Sequence, residues 1–467
     1  MHSGAKSSTA GFLPITRSLV AMALLSLAQT STARAASAQG EQVWLGVSDI
    51  HLNIFDRSPR PNRNGTDTNI ALFKSALIQM KRAVPNPAVV LIPGDFLVHH
   101  FAQRAAHYAG TPDEGGIETM RRIAAAFNRA FPSAQFAIAL GNNDVPCGDY
   151  RSADGTPYLA AVTRIWAPLV NRGGAAPGFA ASFRRGGQYT ARLPVHGLRL
   201  VVLNTVPFSS LYRGDCGGDV QAASGQLAWL GATLRATPAA TGNLVVMHIP
   251  PGFDALSTDF TRGLLAWPFL NGRYNAALAS TLAAPGNRVA YAIASHTHHF
   301  DFRLAGNVPI VVLGSLSPIY RNNPTFYALR MGPDGSLRDI QFHSFDERTK
   351  AWVPVRSFDR IWSSNRIEAS SLIRIHALLA NVPDARALWD RQANGWPSAH
   401  LRIAGTWAGK RWRVSWCAQT DLGSSFRECA GVQRRVLTLG LVALALAGVI
   451  AALLLAFALR SRVNARR

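Results

Sequence analysis

Residues 89–95 read VVLIPGD, a short apolar run that ends in a glycine and an aspartate. A continuous apolar run of this length is typical of a strand that is buried on both faces of a sheet. Gly94 allows the backbone to turn sharply where the strand ends, which would aim the carboxylate of Asp95 back over the sheet edge. This stretch therefore predicts a central strand with an acidic side chain at its carboxyl end.

The alternation of short apolar runs with longer amphipathic segments extends from residue 41 to about residue 345. Helical periodicity is clearest over Ile70–Val84 and Ile117–Ala130. Strands that alternate with helices predict an α/β architecture in which helices cover the sheet. The predicted strands are Val43–Val47, Val89–Ile92, Phe136–Leu140, Leu198–Leu203, Leu244–Met247, Val289–Ile293, Ile310–Leu313 and Phe326–Leu329.

Ionisable and amide side chains follow five of these strands directly. Catalytic residues of α/β sheets collect on the loops at the carboxyl ends of strands. The five loops read SDIH at 48–51, PGD at 93–95, GNND at 141–144, a lone His248, and SHTH at 295–298. Because each loop supplies Asp, His or Asn, we expect the five to form one site.

These residue types indicate a metal site. A mixed set of oxygen and imidazole donors suits Zn²⁺, Mn²⁺ or Fe, whereas Ca²⁺ requires oxygens and a structural zinc site favours thiolates. Asp49 and His51 are two residues apart on a predicted extended segment, so both side chains would lie on one face and bind one ion. His296 and His298 have the same spacing.

As an ordered set, the five blocks resemble those of the calcineurin-like metallophosphoesterases, over residues 44–345. The resemblance implies a four-layer αββα sandwich, assigned here to residues 41–345, with two divalent ions, Zn²⁺ first and Mn²⁺ or Fe as alternatives. It also implies the metal ligands. Asp49, His51 and His298 would bind the first ion, Asp95 would bridge, and Asn142, His248 and His296 would bind the second.

Two local features are similar to the acid sphingomyelinase-like branch of that family. One is His99, four residues after the bridging aspartate, and the other is the segment 314–326, GSLSPIYRNNPTF. This branch also has a helical C-terminal subdomain, which we assign to residues 346–433. The resemblance implies hydrolysis of a phosphodiester, such as a phospholipid head group, by a metal-activated water.

The third block departs from the family pattern. Asn143 stands where the family has a histidine that is proposed to protonate the leaving group or bind phosphoryl oxygens. His99 is our candidate for the vacant catalytic role, with His299 or a metal-bound water as a fallback. The same block resembles polyphosphatase-like members, so a polyphosphatase or nucleotide phosphatase is the alternative function. A second alternative is an inactive ectodomain that binds an anionic ligand.

Both ends of the chain carry targeting signals. Arg17, an apolar run over 19–27 and small residues up to Ala38 predict a signal peptide over 1–38. The uncharged stretch 436–459, flanked by arginines, is long enough for a transmembrane helix. With a cytoplasmic tail over 460–467, the catalytic domain would be membrane-anchored and face the periplasm or the cell exterior.

Cysteine content fits an oxidising compartment. The chain has four cysteines, and their order suggests Cys147 with Cys216 and Cys417 with Cys429, although four cysteines allow three pairings. No CxxC spacing is present, so a cysteine zinc site is not expected.

The net charge of +22 indicates an anionic partner, either nucleic acid, a phospholipid surface or a phosphorylated small molecule. No nucleic-acid-binding motif is recognisable, so we expect a phosphate ester substrate and no nucleic-acid partner.

Overall fold

The computed structural model describes Met1 and residues 40–62, 64–106, 110–217, 223–398, 407 and 409–464. The chain divides into a leading part, Met1–Glu41, and one compact unit, Gln42–Arg467. The described strands and helices all belong to the second unit. The predicted signal peptide over 1–38 lies outside the described residues, apart from Met1.

The compact unit contains two β-sheets. One sheet has the strand order β12-β11-β10-β1-β2-β3, with β13 paired to β11, and the other has the order β4-β5-β6-β7-β9-β8. The strands are β1 Gln42–Gly46, β2 Val89–Ile92, β3 Gln135–Ile138, β4 Tyr189–Arg192, β5 Leu198–Val202, β6 Gly242–Val246, β7 Val289–Ala294, β8 Asp301–Ala305, β9 Val308–Val312, β10 Thr325–Met331, β11 Leu337–Asp346, β12 Ala351–Trp352 and β13 Arg356–Ser357.

In the described part of the chain, helices follow six of the thirteen strands. They are α1 Ile70–Ala83, α2 Phe101–Ala105, α3 Pro112–Ala130, α4 Pro157–Val170, α5 Phe179–Gly186, α6 Ala223–Arg235, α7 Ala255–Phe260, α8 Gly272–Ala283, α9 Phe358–Trp362, α10 Ala369–Asn381, α11 Pro383–Ala393, α12 Trp412–Thr420, α13 Ser425–Cys429 and α14 Val432–Asn464.

Alternation along β5 shows how the layers stack. Leu200 and Val202 belong to the large core that also holds residues of β1 and β2. Val201, between them, packs with Leu230 of α6 and Leu278 of α8 in a second core. Since successive side chains of a strand point to opposite faces, one face of this sheet meets the other sheet and its opposite face meets helices. The second sheet therefore lies between the first sheet and a layer of helices, as the expected αββα sandwich requires.

The central strands are parallel and place their carboxyl ends together. β1, β2 and β3 pair in parallel in the first sheet, and β5, β6 and β7 pair in parallel in the second. β2 is buried throughout, as its apolar sequence predicted. All eight predicted strands are present, with bounds that agree to within two residues.

The sequence did not predict five of the described strands, namely β4, β8, β11 and the two-residue strands β12 and β13. β8 contains a buried charge pair, Arg303 with Asp301, and Gln419 donates a hydrogen bond to Asp301. These charged side chains have partners inside the protein, so β8 can be buried. They nevertheless interrupt the apolar pattern from which the strands were predicted.

In the stretch 346–433, which we assigned to a helical subdomain, β12 and β13 come first, and helices follow from Phe358 onward. Residues 369–393 form two helices, α10 and α11, because Val382 ends the first and Pro383 begins the second. Trp389 of α11 packs against Phe300 and Phe302, so these helices cover the start of β8.

Two disulfides join the cysteines in the order that we favoured, Cys147 with Cys216 and Cys417 with Cys429. The predicted membrane span over 436–459 falls within α14. Within the described part of the chain, no helix combines the length and apolar character needed to cross a bilayer, so the span finds no support there.

Candidate metal centre

The seven predicted ligands converge where the two sheets meet. Asp49 and His51 follow β1, Asp95 follows β2 and Asn142 follows β3, all in the first sheet. The second sheet contributes His248 after β6, and His296 and His298 after β7.

One group of ligand atoms surrounds His51. Its Nε2 lies 3.2 Å from Nε2 of His298 and 3.4 Å from Oδ2 of Asp95. Oδ1 of Asp49 lies 3.6 Å from Nε2 of His298. These four side chains are at most 2% exposed. The group corresponds to the first ion site that the resemblance implied.

A second group surrounds His248. Its Nε2 lies 3.1 Å from Oδ2 of Asp95, 3.0 Å from Oδ1 of Asn142 and 3.3 Å from Nδ1 of His296. Oδ2 of Asp95 therefore belongs to both groups, which is the position of a carboxylate that bridges two ions.

Hydrogen bonds to backbone carbonyls fix the orientation of two ligand rings. Nδ1 of His51 lies 2.9 Å from the carbonyl oxygen of Leu97, and Nδ1 of His248 lies 2.8 Å from that of Pro93. A carbonyl oxygen only accepts, so each Nδ1 donates and each Nε2 faces the centre. Backbone carbonyls that are not themselves ligands commonly orient metal-binding histidines in this way.

Asp49 gives the clearest sign that a cation fits here. Its side chain is fully buried, and no donor meets hydrogen-bond geometry at either carboxylate oxygen, although Ser48 and the backbone of His296 are near enough to lower its pKa somewhat. A buried carboxylate without a partner is costly. The residues present therefore fit a divalent cation.

Burial disfavours the charged forms of several of the ligand groups. It raises the pKa of Asp49 to about 7, and lowers the pKa of His51 to about 4 and that of His296 to about 3. Burial would also raise the pKa of Asp95, but attraction to His248 outweighs it and lowers that pKa. The charge of Asp95 in turn raises the pKa of His248 to about 9 against the effect of burial.

Backbone conformation corrects our explanation of the Asp49 and His51 spacing. These residues are not on an extended segment, because their φ angles are +47° and +42°. Asp95, His296 and His298 also have φ between +57° and +77°. Left-handed non-glycine residues cost energy and persist where surrounding contacts hold them. The strained loops, and not strand alternation, bring the side chains together.

Two glycines allow the loops to approach one another. A Cβ on Gly94 would lie 2.7 Å from Nδ1 of His248, and one on Gly141 would lie 2.1 Å from Oδ1 of Asp95. Gly94 also has φ +104°, as its predicted sharp turn requires, whereas Gly141 is needed for space.

Sequence reading missed the role of Asp144, the last residue of the GNND block. One carboxylate oxygen accepts from the backbone N–H groups of Asp95 and Gly141 at 3.0 and 2.7 Å. The other accepts from Phe96 and Leu97 at 2.6 and 3.2 Å. Asp144 thus holds the loop that carries the bridging aspartate. The only sign of this role in the sequence was a carboxylate at the last position of the block.

Asn143 occupies the predicted histidine position and orients a ligand. Its Oδ1 accepts a hydrogen bond from Nδ2 of Asn142 at 2.8 Å, which turns Oδ1 of Asn142 toward His248. Its backbone N–H donates to Oδ1 of Asp95 at 2.9 Å.

His99 lies beside the first group of ligands. Its ring stacks on His51 at 3.9 Å between centroids, and its Nδ1 lies 2.7 Å from Oδ1 of Asp67. Burial would lower the pKa of His99, but the hydrogen bond to Asp67 raises it. Asp67 precedes α1, outside the five blocks, so no motif indicated it. His299 is half-buried and lines the adjacent cavity, and desolvation lowers its pKa to about 4.

An open cavity of about 320 Å³ adjoins His296. Its walls include Tyr150, Phe269, Tyr320 and Trp407. Tyr320 stands edge-on to His298 with ring centroids 4.6 Å apart, and Phe269 is 5.4 Å from His296. An elongated substrate could therefore extend from the ligand cluster along aromatic side chains.

A family model and a curated relative both match this chain. The sequence model described as calcineurin-like phosphoesterase matches residues 45–300. A curated relative, sphingomyelinase phosphodiesterase D of Dictyostelium discoideum, is 27% identical over 275 residues, 56% of this chain and 57% of the relative. The chain thus spans little more than half the length of that relative.

Solved structures show weaker likeness. Purple acid phosphatase PPD1 of yellow lupin, Lupinus luteus, has a TM-score of 0.41 and 13% identity, with 68% of this chain and 53% of that chain covered. A 5'-nucleotidase precursor of Thermus thermophilus has a TM-score of 0.32 and 11% identity, with 74% and 59% covered. Both scores are too low to support a conclusion about this chain.

Proposed function

Because this chain belongs to the calcineurin-like phosphoesterase family, we propose that it is a metal-dependent hydrolase of phosphodiesters of the sphingomyelinase type. One observation carries the proposal, namely the two groups of ligand atoms that share Oδ2 of Asp95. Two ions held by such groups, Zn²⁺ first and Mn²⁺ or Fe as alternatives, would polarise the phosphoryl group and activate a water molecule.

The chain's own residues would position the reaction. Asp49, His51 and His298 form one side of the site and Asn142, His248 and His296 the other, so a phosphoryl group between them would contact both sides. Asp95 fixes the separation of the two sides. Asn143 and Asp144 hold Asn142 and the Asp95 loop in place, which preserves the geometry without contact to the substrate.

His99 is our candidate proton donor to the leaving oxygen. Asp67 accepts from its Nδ1, which leaves Nε2 free to donate. The ring is 16% exposed beside the first ligand group, so a substrate oxygen could reach it. This arrangement would replace the histidine that is absent at Asn143.

Phosphodiester specificity is supported by the name of the Dictyostelium relative and by the segment 314–326. In that segment, Tyr320 lies at the mouth of the cavity and is 42% exposed. A polyphosphatase or nucleotide phosphatase remains the second candidate, because Asn143 at the histidine position is the feature that resembles those members.

Export to an oxidising compartment is part of the proposal. Disulfides form and persist outside the reducing cytosol, and the described cysteines are paired in two of them.

The test combines metal content with substrate choice. We expect the purified protein to hold two divalent ions and to release product from bis(p-nitrophenyl) phosphate and sphingomyelin faster than from p-nitrophenyl phosphate and polyphosphate. Asp95→Asn should lower turnover by about a thousandfold and reduce the metal content. The matched variant Asp384→Asn, at an exposed carboxylate of α11, should change neither quantity.

Two outcomes would overturn the proposal. A metal-free, inactive protein would favour an anion-binding ectodomain. Preference for polyphosphate or the monoester would favour the phosphatase.

A further inference from the structure

The loop that spans residues 254–267, which begins with Asp254 and α7, presents large apolar side chains to solvent. Phe260 is 80% exposed, Leu265 is 54% exposed and Trp267 is 38% exposed. Leu211, on a neighbouring loop, is 46% exposed. Single exposed apolar residues are ordinary, but a cluster on adjoining loops indicates an interaction surface. We name these four side chains the apolar rim.

Hydrogen bonds hold the apolar rim in its exposed position. The backbone N–H of Asp254 donates to the carbonyl oxygen of Trp267 at 2.8 Å, which closes the loop at its base. The N–H of Trp267 donates to Oγ1 of Thr258 at 3.1 Å inside the loop. Ser210 donates through Oγ to the carbonyl oxygen of Pro268 at 2.6 Å, which ties the loop of Leu211 to the same base. The exposure therefore belongs to a defined conformation.

The base of the loop reaches the candidate metal centre. Phe269, two residues beyond the loop, contacts the ring of His296. Asp254 and Leu256 of the loop, Leu211 of the apolar rim and Tyr320 all line the cavity beside that ligand. The apolar rim thus borders the mouth through which a substrate would enter.

Cationic side chains lie on the same and adjoining segments. Arg213 follows Leu211, Arg262 follows Phe260, and both are exposed. Arg411, at the start of α12, forms an ion pair with Asp259 of α7, which places the exposed Lys410 and Arg413 near the loop. Arginine and lysine around aromatic and aliphatic side chains complement the phosphate and acyl layers of a bilayer.

We propose that the apolar rim docks on the surface of a lipid bilayer, so that the mouth of the metal centre opens onto lipid head groups. This inference rests on the proposed phosphodiesterase function and narrows its substrate to phosphodiesters presented in a membrane. Phe260, Leu265 and Trp267 would enter the head-group region, where aromatic residues are favoured. A bilayer matches these loops because they combine projecting apolar tips with flanking cations.

The test compares two double variants of the full chain. Phe260→Ser with Leu265→Ser removes the tips of the rim without touching cavity residues. Ile373→Ser with Leu378→Ser is the control, since both residues are similarly exposed on α10. We expect the rim variant to hydrolyse sphingomyelin in phosphatidylcholine and phosphatidylserine vesicles about tenfold more slowly than the wild type. Soluble bis(p-nitrophenyl) phosphate should be hydrolysed at the wild-type rate, and the control should match the wild type on both substrates.

A fluorescent label on the rim measures docking directly, without relying on catalysis or on binding by other apolar segments. The fluorophore NBD, attached to Leu265→Cys, should shift its emission to the blue when the vesicles are added, whereas the same label on Leu378→Cys should not. Equal spectra at 265 with and without vesicles would overturn the docking proposal. A shift that follows protein concentration alone would also overturn it, because a second copy would then cover the rim. If neither substrate is hydrolysed, the proposed function fails while the NBD spectra still decide the docking proposal.

Discussion

At the scale of residues, the site contains two buried aspartates, Asp49 and Asp144. Burial shifts their pKa values alike, but the two differ in their hydrogen-bond donors. Burial raises the pKa of both Asp49 and Asp144 to about 7. Asp144 accepts four backbone hydrogen bonds, whereas neither oxygen of Asp49 has a donor in hydrogen-bond geometry. We infer that Asp144 is structural and that Asp49 is placed for a cation.

The same substitution should therefore have different effects at the two positions. At pH 8, metal-free Asp49→Asn should be at least as stable as the metal-free wild type, because it removes an unpaired buried charge. Asp144→Asn should lower the free energy of unfolding by about 1–3 kcal/mol, because its amide N–H₂ would face backbone donors. Urea unfolding of both chelated variants measures the difference, and equal destabilisation would contradict this distinction.

Substitution of His99 tests its role through the leaving group. His99→Gln should slow the hydrolysis of alkyl phosphodiesters by about 10²–10³-fold, because an alkoxide needs a proton as it departs. Bis(p-nitrophenyl) phosphate should be much less affected, since p-nitrophenolate leaves without one. Asp67→Asn should show the same pattern more weakly, as it acts through His99. An equal loss of rate on both substrates would show that His99 positions the substrate and does not protonate the leaving group.

At the scale of elements, strand ends could be predicted and loop conformations could not. Val89–Ile92 matches its predicted bounds because its apolar run has one interpretation, a buried strand. β8 was missed because its charges, Asp301 and Arg303, are paired inside the protein. The side chains that converge at the candidate metal centre were predicted from their blocks. The left-handed backbone of Asp49 and His51, however, has no signature in the residue types themselves.

Asp67 and the apolar rim show a second limit. Asp67 meets His99 only through the fold, since a loop before α1 and a loop after β2 are brought together by tertiary packing. Phe260 and Leu265 read as ordinary apolar residues in the sequence, and only their exposure in the structure distinguishes them.

The loop that follows β3 must pass very close to Asp95. Gly141→Ala would place a Cβ 2.1 Å from Oδ1 of Asp95, so the loop must shift. We expect a loss of about 1–3 kcal/mol of stability together with weaker binding of the second ion. Gly178→Ala, at a glycine with open space around it, is the control and should alter neither property. Unfolding and metal titration of both variants test the point, and an unaffected Gly141→Ala would contradict it.

At the scale of the whole molecule, the candidate metal centre joins the two sheets. The first sheet supplies Asp49, His51, Asp95 and Asn142, and the second supplies the three remaining histidines. Each ion would therefore have ligands from both sheets, so metal binding and the stability of the sandwich should be linked.

Chelation should reveal that link. An ion present at 1,000 times its dissociation constant stabilises the native state by about 4 kcal/mol per site. Removal of metal should therefore lower the melting temperature of the wild type and have a smaller effect on Asp95→Asn, whose sites are already weakened. Calorimetry with and without chelator measures this. Equal shifts of the melting temperature in both proteins would show that the stabilising ion binds away from Asp95.

If two ions share Asp95, the spectrum of the Mn²⁺-loaded protein should show it. Electron paramagnetic resonance of the wild type should show the signal of a spin-coupled Mn²⁺ pair, because a bridging carboxylate brings the two ions close enough to interact. Asp95→Asn should show uncoupled or missing ions. A wild-type spectrum of a single isolated ion, or of two uncoupled ions, would show that Asp95 does not bridge two ions.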